Sequence, residues 1–170
     1  MEKVLFGLML TSMIVSPVSA FAGEAKVSWQ EPEKYTDIRP SNESRDSFKE
    51  KVFKEFNAMF STMAKKLPDG YQMEVTVTDL DLAGDVNGMY SRLGRDIRVV
   101  KELYWPRMSF SYILKNEKNE VVSAAKEDLK DMNFMNSMGI HTSGNSFDYE
   151  EKMLNDWFKE QQKTKKFPSK

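Results

Sequence analysis

Around Leu67-Pro68-Asp69-Gly70 the hydrophobic period of the chain changes from helical to extended. Before this point Phe48, Val52, Phe56, Met59, Phe60, Met63 and Leu67 recur at steps of three and four, with Lys49, Glu50, Lys54, Glu55 and Lys65 between them. That spacing predicts an amphipathic helix, opened by the cap formers between Ser41 and Ser47 and closed by the turn at Pro68 and Gly70. After it Tyr71, Met73, Val75 and Val77 alternate with Gln72, Glu74, Thr76 and Thr78, the period of a half-buried strand. The helix stripe is wide and aromatic, and each Phe buried from it contributes on the order of 1.5–3 kcal/mol. The helix is therefore expected to lie on a sheet that contains the strand following it.

If the alternation ran on unbroken, Asp79 and Asp81 would fall on the apolar face. Two unpaired buried carboxylates would cost several kcal/mol, so the strand is expected to bulge or end near Thr78, turning Leu80 and Leu82 inward. Ala83 to Gly88 reads as loop. Val27-Ser28-Trp29-Gln30 reads as a short strand stopped at Pro32, Asp96 to Val100 as a strand or strand edge, and Trp105-Pro106 as a break. Met108, Phe110, Tyr112 and Leu114 alternate as a second clear strand; Asn116 to Asn119 is turn material, and Glu120 to Lys126 returns to complete a hairpin. A second helix opens at Phe147-Asp148-Tyr149, with Asp148 as N-cap, Glu151 at the capping-box position, and a stripe of Tyr149, Met153, Leu154, Trp157 and Phe158. The order predicts one α+β domain over 23–162: a mixed or largely antiparallel sheet with a long helix and a C-terminal helix packed on one face. The basic C-terminal tail 163–170 is expected to fray.

The amino terminus is an address. A Lys at position 3, a run of about a dozen mainly apolar residues from Val4 to Val15, a break at Ser16-Pro17 and small residues at Ala20 and Ala22 form the three regions of a signal peptide. The apolar run falls short of the ~20 residues a bilayer-crossing helix needs. Residues 1–22 are read as the leader, cleaved after Ala22 or alternatively after Ala20, and the mature protein is expected in the periplasm with no transmembrane span.

Composition removes several function classes. With 25 Lys and Arg against 26 Asp and Glu, the chain lacks the basic excess of a non-specific nucleic-acid binder, so no nucleic-acid partner is expected. Zero cysteines exclude a disulfide framework, a thiolate zinc site and a Cys nucleophile, and a single His excludes a multi-His metal site. No phosphate loop, dinucleotide fingerprint or Gly-x-Ser-x-Gly elbow is present.

Four blocks in order carry a likeness to a known family. They are Val27-Ser28-Trp29 with Pro32 and Tyr35-Thr36-Asp37; Leu67-Pro68-Asp69-Gly70 running into Val75 to Gly84; Asp96-Ile97-Arg98-Val99 with Pro106-Arg107; and Leu129 to Met132 with Tyr149-Glu150 and Leu154 to Phe158. In these the chain resembles the bacterial family known as domain of unknown function 3016. The resemblance implies an exported protein of Gram-negative bacteria with one compact domain, and it implies no reaction and no catalytic residues.

Three sets of residues offer chemistry. Asp79, Asp81 and Asp85 with Gly84 outline a cation-binding loop, but Ala83 and Tyr90 occupy positions where calcium ligands belong, and the plainer reading pairs these carboxylates with Arg95, Arg98 or Arg107. Asp79 and Asp81 also offer an acid and base pair for a carboxylate-dependent hydrolase of the envelope, although nothing in the sequence indicates the substrate cleft that such a pair needs. Met132, Met135, Met138 and His141 fall at equal spacings of three, soft thioethers beside an imidazole that suit Cu(I), although the interleaved Phe134 and Ile140 equally describe an apolar flap. His141 also lies near Ser143, Ser146 and Asp148, which by itself does not make a triad. Finally Trp29, Tyr35, Tyr104 and Trp105 flank prolines, and aromatics beside Arg107 make a hot spot for a protein partner or close the ends of the core. No cofactor is required by any of these features, copper and calcium being the two that the residues would suit. The leading expectation is a non-enzymatic binding or accessory protein of the cell envelope, acting on an unidentified envelope protein or ligand.

Overall fold

A computed structural model of the chain describes residues 23–91, 93–136 and 146–170. The leader, Met138, His141 and Ser143 lie outside the described residues. Strand β1 (Glu24–Trp29) leads through a 3-10 turn at Pro32–Lys34 into helix α1 (Arg45–Ala64), then β2 (Gln72–Asp81), the short β3 (Asp85–Val86) and β4 (Arg98–Val99), the hairpin β5 (Arg107–Lys115) and β6 (Val121–Lys130), and helix α2 (Asp148–Lys163). The main sheet has the order β1-β2-β5-β6. β1 runs parallel to β2, with α1 as the crossover, and the other neighbours are antiparallel. The domain is α+β with a mixed sheet, and both helices cover one face.

Packing follows the two periods. Phe48, Val52, Phe56, Met59, Phe60 and Met63 of α1 meet Met73, Val75 and Val77 of β2 and Met108, Phe110, Tyr112 and Leu114 of β5 in one apolar cluster, which Met153, Leu154, Trp157 and Phe158 of α2 close. Ser44 caps α1, its hydroxyl accepting the Ser47 N–H at 3.2 Å. The opposite face of the sheet carries polar side chains such as Glu74, Thr76, Ser109 and Lys126.

The expected irregularity of β2 is a register shift between Val77 and Asp79: Val77 faces Phe110, Asp79 faces Ser109, and Thr78 is the extra residue. The Thr78 hydroxyl donates to the Ser109 carbonyl at 3.1 Å. Leu80 and Leu82 are thereby buried while Asp79 and Asp81 turn to the polar face.

Several sequence expectations differ from the structure. The loop after Ala83 contains β3, paired with β4, and β6 runs four residues past Lys126 because its pairing with β5 continues to Arg107–Lys130. Phe147, not Asp148, is the N-cap of α2, with no side-chain cap bond; Asp148 is the first helical residue, where its charge still complements the helix dipole. The basic tail does not fray. After α2 the backbone N–H groups of Lys166 and Phe167 donate to the Gln161 carbonyl, Lys165 takes a positive φ of 61°, and the Phe167 ring meets Tyr112, Trp157 and Phe158 at centroid distances of 5.1, 5.5 and 5.5 Å. One apolar residue among lysines does what the charge pattern hid.

Candidate functional site

The site is built where β2 leaves the sheet. Residues 36–39 lie beside the end of β2 on the edge that β1 has vacated, held by Asp37 N–H to the Leu80 carbonyl (3.1 Å) and Leu82 N–H to the Asp37 carbonyl (3.2 Å). From the other side the turn before β5 closes in, with the Gly84 N–H donating to the Tyr104 carbonyl at 2.9 Å. Gly84 has φ near 90°, and a Cβ there would stand 2.8 Å from the Val99 carbonyl oxygen, so both backbone conformation and the approach of β4 require glycine. Between these segments lies a cleft of about 250 Å³ lined by Thr36, Asp37, Arg39, Asp81, Asp85, Leu103, Tyr104, Trp105 and Arg107.

Of the six residues singled out for binding in the sequence, Asp81, Asp85, Trp105 and Arg107 line this cleft, and Asp79 and Arg98 sit immediately behind it. Each charge has an assigned partner. Asp79 accepts the Thr36 N–H (2.7 Å) and hydroxyl (2.6 Å) together with its neighbour's Leu80 N–H (2.9 Å), so it caps the bulge. Asp81 accepts from Arg107 Nε at 2.9 Å and from its Nη2. Burial pushes the Asp81 carboxyl above its ordinary value in spite of that guanidinium. The same hydrogen bond raises the pKa of Arg107. Asp85 pairs with Arg39 at 3.1 Å. Arg95, a partner suggested by the sequence, makes none of these contacts; Arg39 takes its place.

Asp37 and Arg98 form the buried centre. Arg98 Nη1 donates to Asp37 Oδ2 at 2.9 Å and to the Gly84 carbonyl at 3.2 Å, and Nη2 to the Arg39 carbonyl at 3.0 Å. Asp37 also accepts the Arg39 N–H at 3.0 Å. Beneath the cleft, Glu150 reaches from α2 to accept the Ala83 N–H at 2.7 Å. Only 2% of Glu150 is exposed; burial pushes its carboxyl up to about 6, opposed by the hydrogen bond from Ala83 and the charge of Arg98. The segment from Leu82 to Asp85 is thus gripped from below by Glu150 and from the side by Arg98.

Asp37, Arg39 and Glu150 belong to the candidate site and its supports, and reasoning from periodicity missed them. The signal that could have found Asp37 and Glu150 is their place inside the blocks of family likeness, Tyr35-Thr36-Asp37 and Tyr149-Glu150. Trp29, in contrast, is packed rather than presented: it stacks on Phe53 at 4.2 Å and its indole N–H donates to Asn57. Tyr35 is buried, its hydroxyl donating to the Val77 carbonyl at 2.8 Å.

The model of one protein family, described as a protein of unknown function, DUF3016, matches residues 23–160. The chain belongs to that family. The matched range takes in every residue of the cleft and its supports, so the DUF3016 region and the site coincide. No curated protein and no solved structure matches this DUF3016 chain.

The remaining candidates fall elsewhere. Among the described residues no group of three or more His, Asp or Glu side chains is placed to hold a metal ion, and Asp79, Asp81 and Asp85 do not converge on one point. Met132 and Met135 are 63% and 44% exposed on either side of the fully buried Phe134, which packs edge-on against Tyr149 at 4.9 Å. Met132 and Met135 are thus exposed, while the Phe134 between them is packed. Among the described residues no helix is long and apolar enough to cross a membrane.

Proposed function

We propose that this DUF3016 protein is exported to the periplasm and acts there as a non-enzymatic binding protein, its cleft receiving a segment of an envelope protein. The observation that carries the reading is the cleft itself: charged side chains from three separate stretches of chain are fixed in matched pairs around an opening rimmed by Leu103, Tyr104 and Trp105. Paired and oriented charges beside aromatic area serve recognition, where a polypeptide offers both backbone polar groups and apolar side chains. Hydrolysis by two carboxylates needs one of them free to act as acid or nucleophile. Here Asp79 is committed to Thr36 and Asp81 to Arg107, an arrangement that favours binding. The amino-terminal leader pattern supports export.

The test is site-specific photo-crosslinking in cells, with the photoreactive residue at Leu103 on the cleft rim or at Thr76 on the open sheet face. A discrete adduct at 103, absent at 76 and lost on Trp105→Ala, is expected. Equal adducts at both positions, or none at 103, would count against the cleft. Turnover of a peptidoglycan preparation that Asp79→Asn abolishes would replace the binding reading with the hydrolase.

A second reading, periplasmic copper binding, is favoured by one observation, the exposure of Met132 and Met135. Cu(I) competition titration that registers a site lost in Met135→Ala would support it, and unchanged affinity in that variant would end it.

A further inference from the structure

The excursion between β3 and β5 has no role in closing the core, yet it concentrates apolar surface. Of the ten large apolar side chains exposed among the described residues, five lie here: Met89, Tyr90, Leu93, Val100 and Leu103. Met89 is 91% exposed, Leu93 76% and Leu103 69%. Met89, Tyr90 and Leu103 belong to two turns that meet. The 88–91 turn and the 101–104 turn touch where the Lys101 ammonium stands 4.1 Å from the centre of the Tyr90 ring. The short β3-β4 ladder and the Asn87 N–H to Ile97 carbonyl bond, 3.1 Å, fix the base of both. A soluble domain keeps such a cluster only where something covers it.

Charge says what kind of surface would cover it. From Asn87 to Trp105 the sequence carries four cations against two anions, in a chain whose net charge is −1. Arg98 is turned inward to Asp37, while Arg95 and Lys101 stay on the outside with the apolar tips. Exposed Met and Leu at the tips, Tyr90, Tyr104 and Trp105 behind them, and basic side chains around them match the layers of a bilayer interface with anionic headgroups: acyl boundary, carbonyl zone, phosphates. A cluster for a second copy of this chain would meet the same positive charge across a two-fold axis.

We infer that the 88–104 excursion is a membrane-docking element, inserting Met89, Leu93 and Leu103 into the interface of a bilayer that carries anionic lipid. The inference does not rest on the cleft's occupant: Leu103 also stands on the cleft rim, but Met89 and Leu93 are not among the residues that line it.

The absence of cysteine makes the test clean, since a single introduced thiol can be labelled alone. The full chain is prepared as Met89→Cys and, separately, as Thr76→Cys on the open sheet face, each carrying an environment-sensitive fluorophore. They are mixed with vesicles of phosphatidylcholine alone or with about a third phosphatidylglycerol. Expected are a blue shift and a several-fold intensity rise at 89 with the anionic vesicles and none at 76. Adding Leu93→Asp and Leu103→Asp, two exposed positions whose change is expected to leave the melting temperature in place, should abolish the response. Lys101→Glu should weaken binding at least about fivefold, the effect of one cation at an anionic surface. No response at 89, a response that survives the double substitution, or an equal response to phosphatidylcholine alone overturns the inference. So does a concentration-dependent dimer abolished by the same double substitution, which would assign the patch to a second copy.

Discussion

At the scale of single residues the site rests on two buried ionisable groups. Removing the guanidinium in Arg98→Ala leaves Asp37 buried with only the Arg39 contacts, and breaking such a pair costs about 3–5 kcal/mol; denaturant unfolding should show that loss, and a change under 1 kcal/mol would mean water reaches Asp37. Glu150 gives a pH signature. Its carboxyl is raised from 4.5 to about 6 in the folded chain, so between those values the folded state holds the proton that the unfolded state has released. Stability is then greatest below pH 4.5, as far as this group is concerned, and falls by about 2 kcal/mol as pH rises through 6. Glu150→Gln keeps an acceptor for the Ala83 N–H without the charge. It is expected to flatten that fall and raise the melting temperature at pH 7.5, and parallel pH profiles for the two proteins would refute the assignment. Neither residue was legible from spacing. Glu150 sits among charges at the start of a helix, and only the fold places it under the loop after β2.

At the scale of elements the bulge in β2 decides what the cleft contains. Taking Thr78 out of register lets Leu80 and Leu82 reach the core and sets Asp79 and Asp81 toward Thr36 and Arg107. Deleting Thr78 makes the alternation regular without exchanging the faces: Asp79 then follows Val77 directly on the polar side, and Leu80 and Leu82 stay inward, so only the bend of the bulge is lost. The variant is expected to keep its near-ultraviolet dichroism and a cooperative thermal transition, whereas inserting a second residue after Thr78 shifts the phase by one and should abolish both; a deletion variant without a transition would show that the bend itself is needed. A bulge and a strand end both satisfy the sequence here, and the pairing of Asp79 with Ser109 decides for the bulge. The change of phase itself was readable from the sequence, because alternation and burial conflict at this point. The extent of β6 and the cap of α2 were not, since edge-strand residues alternate weakly and a helix start is set by where the preceding chain arrives.

At the scale of the molecule the two ends of the described chain are tied into the same core. Gly23 lies against the Ala64 carbonyl at the end of α1, Lys170 pairs with Asp69 at 2.8 Å, and Phe167 is 1% exposed. A chain ending at Lys163 loses that ring from among Tyr112, Trp157 and Phe158, and should lose about 3–5 kcal/mol with it. Calorimetry would register the lowered transition, and an unchanged melting temperature would return the tail to the frayed state its composition suggests. The sequence by itself determined the helices, the alternating strands, the change of phase near Thr78 and the α+β class, because burial imposes a period on any element with one apolar face. Only the tertiary structure decided that Asp37, Arg39, Arg98 and Glu150 surround one loop, that Phe167 is core, and that Met89, Leu93 and Leu103 share an outer surface. Those relations join residues up to 67 positions apart, and periodicity, being local, carries no record of which distant segment a side chain will meet.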